Sequence, residues 1–190
     1  ESCVARAAPW RCGEPEWGME SVDRNEQFSL VPLARLDSRD DRRTHLDLRE
    51  AYWRRIHGSW DLLLGINRVF WGVTESRHLV DIINQTDFVE DLDGEDKLGQ
   101  PMLRLSTQQD WGALSLFVLP GFRERTFPGK EGRLRFPLVT DGDADYQSNA
   151  GRNHVDLALR YAPYLGAWDF GVHYFRCTGR EPPFVPDGGC

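Results

Sequence analysis

The sequence predicts an all-β protein: an antiparallel, up-and-down transmembrane β-barrel, incomplete, contributing about seven strands of a larger even-numbered barrel. Three observations predict it. Apolar residues recur at every second position in several segments, the period of a strand with one apolar face. Short and long connections alternate, as turns and loops do at the two ends of an outer-membrane barrel. Aromatic residues gather near the strand ends, where barrels carry interfacial girdles.

The first expected strand, 27–37, alternates Phe28, Leu30, Pro32, Ala34 and Leu36 against Ser29, Val31, Leu33, Arg35 and Asp37. Pro32 cannot donate to a ladder, which weakens this strand or puts it at an edge. In 43–56, Leu46, Leu48 and Tyr52 oppose His45, Asp47 and Arg49. In 60–70, Trp60, Leu62, Leu64, Ile66 and Phe70 oppose Asp61, Gly65 and Asn67. Segments 101–108 and 111–119 form a tight pair joined near Gln109 and Asp110. The last pair is the cleanest. Val155, Leu157, Leu159 and Tyr161 share one face of 153–161, and Trp168, Phe170, Val172 and Tyr174 share one face of 168–176. Residues 162–167, with Pro163 and Gly166, suit the turn between them. Short turns fall at about 57–59, 109–110 and 162–167, and long loops at about 71–100 and 121–152.

Composition narrows the function classes. The 190 residues carry 23 Lys and Arg against 30 Asp and Glu, a net charge of -7 that argues against a nucleic-acid partner. No apolar run approaches the ~18 residues of a membrane-spanning helix. Strands that use alternate residues for lipid escape that test. Cys3, Cys12, Cys177 and Cys190 form no C-x-x-C pair, so a zinc site lacks support. Whether Cys177 and Cys190 bridge stays open. Residues 1–25 lack either period and are expected as a poorly ordered lead-in, with the partial barrel over 26–190. Both ends read as cut, so the chain is expected to be an N-terminal portion of a longer one.

The strings RVFWGVTESRHLVDIINQTDFVED, GEDKLGQPM and DWGALSLFVLPGFRERTFPG, with the later WDFGVHYFRCTGREP, resemble an uncharacterised family of proteobacterial outer-membrane β-barrel proteins. The resemblance covers roughly 28–185. It implies a Gram-negative envelope protein with a porin-like barrel, closed by further strands at its C-terminal side. It supplies no known substrate and no catalytic residues. Cys177 stands where a small residue such as Gly is expected, and residues 1–25 fall outside the resemblance.

The long 71–100 loop is the most distinctive segment. Its middle, SRHLVDIINQ, is apolar enough to pack and to form a short helical turn. Folded inward, it would narrow a lumen with Thr74, Glu75, Ser76, Arg77, His78, Asp81, Asn84, Gln85 and Asp87; an equal alternative is a surface loop held by its own side-chain hydrogen bonds. Charge placed at such a constriction sets solute preference. The polar strand faces add His45, Asp47, Arg49, Asn67, Arg104, Asp156, Arg160, Asp169 and His173 as lumen candidates. Cross-strand pairing that stiffens the wall is the preferred reading of these over specific solute binding.

Several motifs are turned down. Asp141 to Asp145 starts like a calcium loop, but positions six and twelve are Tyr146 and Arg152. Asn84-Gln85-Thr86 fits a glycosylation sequon that is common by chance. His78 and Asp81 have no nucleophile or metal motif to complete them. The basic run Phe122 to Arg135 would meet lipopolysaccharide phosphates at an outer leaflet, although a solvated loop paired with its own acids is preferred. The expected protein is not an enzyme and needs no cofactor or metal. It sits in the cell outer membrane with the lipid bilayer and lipopolysaccharide as partners, and passes small solutes. The alternative is a soluble β-sandwich that binds carbohydrate on exposed Trp and Tyr. An enzyme embedded in a barrel is the third class, and it needs a convergent acid/base or nucleophile cluster.

Overall fold

A computed structural model of the chain describes residues 10–13, 17–20, 25–38, 40–70, 82–90, 94–131, 140, 146, 149–166, 168–177 and 179. The architecture is all-β, with no α-helix among the described residues. Ten strands are numbered in chain order: β1 Trp10–Gly13, β2 Trp17–Glu20, β3 Glu26–Asp37, β4 His45–His57, β5 Trp60–Asn67, β6 Gln100–Gln109, β7 Gly112–Pro120, β8 Val155–Leu165, β9 Trp168–Asp169 and β10 Val172–Arg176. They make one antiparallel sheet in the order β1-β3-β4-β5-β6-β7-β8-β10. The seven strands β3 to β8 and β10 run up and down in sequence order. Among the described residues β10 does not pair with β1 or β3, so the sheet is open, consistent with an incomplete barrel.

Part of the expected lead-in joins this sheet. β1 pairs with residues 34–37 of β3, and β2 pairs with 27–30. β3 is therefore flanked on both sides, and Pro32 does not put it at a free edge. Both neighbours instead break their ladders beside Pro32. β1 and β2 leave 31–33 unpaired on their side. β4 shifts register between Val31 and Pro32, where Val31 pairs with Glu50 and Pro32 with Leu48. A proline has no amide to give, so the irregularity falls where a hydrogen bond is already lost.

That shift changes one expectation. Arg49 is the extra residue, and beyond it the alternation of β4 inverts. Leu46 and Leu48 stay on the exposed face. Tyr52 turns to the opposite face, opposite Gly65, and packs against Leu63, Ile83, Met102, Phe117, Leu119 and Ala158. The last turn is also tighter than expected. β8 continues through Pro163, paired with Gly112, to Leu165, paired with Trp168.

The other alternations are as expected. In β3, Phe28, Leu30, Ala34 and Leu36 are exposed while Val31, Leu33 and Arg35 are buried. In β8, Val155, Leu157 and Leu159 are exposed while Asp156 and Ala158 are buried. The exposed rows are continuous across strands: Leu64, Leu103, Val118, Leu157 and Arg176 lie side by side, as do Leu62, Leu105, Leu116, Leu159 and Tyr174. Among the described residues, exposed large apolar side chains outnumber buried ones.

The inner face is not wholly polar. Leu63, Met102, Phe117 and Leu119 form a small core there, closed by Ile83 from the long loop after β5. Residues 82–85, the end of the segment expected as a helical turn, are not helical, and 76–81 lie outside the described residues.

Candidate functional site, the inner wall and its loops

The inner face divides into a half covered by loops and a half left open near the short turns. The covered half is built on β3 and β4. Alternation sends Arg35, His45, Asp47 and Arg49 inward, and the bulge leaves Arg49 2% exposed. Residues 82–90 and 94–99 lie over them, with 121–129 alongside. The loops hold each other through a Thr86–Lys97 bridge, an Asp87–Thr126 bridge and stacked Phe88 and Phe127 rings.

Two side chains secure this loop. Asn84, 3% exposed, donates to the carbonyls of Asn67 at 3.0 Å and Leu98 at 2.8 Å. Its own oxygen accepts from the Val69 amide at 2.8 Å. It thereby replaces a missing strand neighbour beyond the end of β5. Asp87, 1% exposed, accepts from Thr126 Oγ1 at 2.5 Å and the Val89 amide at 3.2 Å. Its other oxygen lies 2.9 Å from Arg49 Nη2.

Around that pair the charges alternate in sign. Arg123 donates to Asp47 at 2.7 Å and to the Gly99 carbonyl at 2.8 Å. Asp47 lies 3.8 Å from Arg49. Glu90 pairs with Arg35 and stands 3.5 Å from His45 Nε2. Burial raises the Glu90 carboxyl above its ordinary value, while the Arg35 guanidinium opposes that rise and the nearby Asp87 charge adds to it. Backbone contact is as close as the ionic contact. A Cβ on Gly99 would sit 2.4 Å from the Arg49 carbonyl oxygen, and one on Gly129 would sit 2.3 Å from the Asp40 carboxylate that accepts the Gly129 amide.

His45, Asp87 and Glu90 offer ligand atoms within 4.8 Å of one another, a set that could hold a metal ion. Arg49 and Arg35 already neutralise the two carboxylates. A divalent cation entering there would meet two resident positive charges. The arrangement works as an ionic clasp. These pairs hold the loop's geometry on the sheet.

Towards the open half run two cross-strand rows, the first of which still holds the buried Leu63, Phe117 and Ala158 of the core. One runs Arg54, Leu63, Arg104, Phe117, Ala158 and Phe175. The next runs Ile56, Asp61, Ser106, Ser115, Arg160 and His173. Arg54 grips Asp61 with two bonds, at 3.0 and 2.8 Å, and Arg104 reaches the same carboxylate at 3.0 Å. Ser106 and Ser115 hydroxyls are 2.9 Å apart.

Known proteins give no further guide: no family model, no curated protein and no solved structure matches the chain.

The expected lumen residues therefore fall into groups. Asp47, Arg49 and Asp87 come together in the clasp, with His45, and with Asn84 and Gln85 in the loop beside it. Arg104, Arg160 and His173 belong to the open half. Asp156 is 1% exposed and lies 3.5 Å from His154 Nε2, so it is buried in the wall. Thr74, Glu75, Ser76, Arg77, His78 and Asp81 lie outside the described residues, as does the Asp169 side chain. Arg123 and Arg125 of the basic run are engaged within the chain. Arg125 donates to Gln85 Oε1 at 3.3 Å and lies over the Phe88 ring. Cys177 is exposed, and Cys3 and Cys190 lie outside the described residues. Sequence reasoning missed Glu90, Arg54 and Arg123 as site residues. It placed Arg35 and Asp61 on the correct face without a role. Arg54 and Asp61 flank the 57–59 turn, and that hairpin symmetry was the available signal.

Proposed function

We propose that this chain forms part of an outer-membrane β-barrel of porin-like type that gives small solutes passage across a Gram-negative outer membrane. The observation that carries the reading is the sorting of the sheet. One face exposes Leu36, Leu46, Leu64, Leu116, Leu157 and Val172, while the other buries Arg49 and Gln100 with the loop's Asp87 over it. A water-soluble domain does the reverse, and monomers rarely expose an apolar patch that spans a whole sheet. Lipid is the solvent that favours this inversion. The strand lengths agree. The eleven residues of β8 run about 36 Å, or about 28 Å of height at a tilt near 40°. Among the described residues no helix is long and apolar enough to cross a membrane, so strands are the crossing elements in this reading.

Aromatics support the same reading. Trp60, Trp111 and Trp168 are exposed, each beside one of the three short turns at one end of the sheet. Trp111 packs near Tyr161, and Trp168 stacks on Phe170. Such rings suit the boundary between acyl chains and headgroups.

The test is fractionation of cells that express the full-length gene, followed by conductance in planar bilayers. Recovery with the outer membrane and discrete conductance steps are expected. Recovery in the soluble periplasm would overturn the membrane assignment, and a silent barrel would overturn the passage.

A further inference from the structure

Among the described side chains, the open half of the inner wall carries more positive charge than it neutralises. Arg54 and Arg104 share the single carboxylate of Asp61. Arg160, one row away, has no carboxylate partner among the described residues, and its buried Nε makes no hydrogen bond. The Nε of Arg104 is likewise buried and without a bond. Arg160 stands directly between Ser115 on one side and His173 on the other. Hydroxyl, imidazole and guanidinium groups therefore share one row, and guanidinium N–H groups are donors that match the oxygens of carboxylates and phosphates.

Resting on the barrel reading above, we propose that this row binds small oxyanions, carboxylates or phosphates, and makes the passage prefer anions. The covered half does not contribute, because Arg35, Arg49 and Arg123 each face a carboxylate and Arg125 is held by Gln85 and the Phe88 ring. Arg104 and Arg160 lie two strands and one row apart, so two guanidinium groups approach one solute from different strands. The preference is local. It arises inside a chain whose net charge is -7, because charge on a narrow wall outweighs charge in distant loops once salt screens beyond ~10 Å.

The experiment pairs two readouts on the full-length protein. Reversal potentials in a KCl gradient should show chloride preferred over potassium by about fivefold, the weight of one uncompensated unit charge at contact in water. Arg160→Gln together with Arg104→Gln should remove that preference. Calorimetric titration of the detergent-solubilised protein with inorganic pyrophosphate should show binding that the double variant loses. Conductance that is unselective or cation-selective, with no pyrophosphate binding, overturns the anion row and leaves the pore. A silent barrel whose pyrophosphate binding depends on Arg104 and Arg160 overturns the passage and leaves the row. Silence with no binding overturns both. An unchanged melting transition in the double variant separates lost binding from lost fold.

Discussion

Arg49 and Arg160 are both inward-facing arginines on the same sheet, yet their surroundings differ in kind. Arg49 is sealed under the loop, 2.9 Å from Asp87, with the Lys97 carbonyl accepting a further bond. Arg160 sits between Ser115 and His173 on the open row. Strand alternation decides that both point inward. The loop then decides which charge is structural and which is available to a solute. A guanidinium under the loop must be paired because a lone buried charge costs several kcal/mol. Arg160, half-buried with its Nε out of water, has no carboxylate partner among the described residues and is left for a solute.

The comparison breaks most visibly at Arg49. Arg49→Met would leave Asp87 buried without its cation, at a cost of about 3–5 kcal/mol. Urea unfolding of the detergent-solubilised protein measures it. The Arg49→Met, Asp87→Leu double variant should recover most of the loss, because two apolar groups replace a matched pair. No recovery would mean that the pair does not act as a unit.

Asn84→Ala ranks next. It strips partners from the Val69 amide and from the Asn67 and Leu98 carbonyls. A stability loss of about 1–3 kcal/mol is expected. Faster hydrogen exchange should be confined to the Val69 amide and its loop neighbours. Exchange that rises across β8 as well would show that the loop and sheet unfold together. Gly99→Ala should cost a similar amount for a different reason, since its Cβ meets the Arg49 and Leu48 carbonyl oxygens, which cannot swing away, as well as the Ile66 side chain.

Glu90 gives a smaller effect that depends on pH. Its carboxyl is raised chiefly by burial. A group raised on folding contributes stability that is complete below its unfolded value, near ~4.3, and lost as pH rises through the folded value. Loop docking therefore tightens on acidification through the window just above the ordinary glutamate range. Urea midpoints of wild type and Glu90→Gln between pH 7 and 5 should converge or cross in favour of wild type as pH falls. Divergence in favour of the variant would mean that the Arg35 pairing outweighs burial.

How much of this was legible depends on range. The faces of β3, β8 and β10 follow from neighbours two residues apart, so Leu157 against Asp156 could be read directly. The inversion of β4 could not. Leu48, Arg49 and Glu50 give no local sign of a bulge, which is set by Pro32 on the facing strand. The long loop was legible as an inward-folding element, and Asn84 and Asp87 were named within it. Their targets were not, because Arg49 lies far away in sequence and any of several arginines would have satisfied the same charge rule. Glu90 was passed over for that reason: a carboxylate in an acidic run looks solvated until Arg35 is brought beside it. Apolar core on the inner face was also hidden, since Met102 and Leu119 are core only once Ile83 covers them.

The smallest expected effect is the one that sharpens the comparison most. Arg160→Gln removes a charge of the same type as Arg49, from the same face of the same sheet. It breaks no carboxylate pair among the described residues, and Gln keeps a polar group in the row. Substitutions of this kind shift stability by about 0.5 kcal/mol or less. The urea midpoint of Arg160→Gln should therefore match wild type within error, while pyrophosphate binding weakens. A loss comparable to that of Arg49→Met would mean that Arg160 holds the wall together, and the division between a sealed and an open half would no longer describe the inner face.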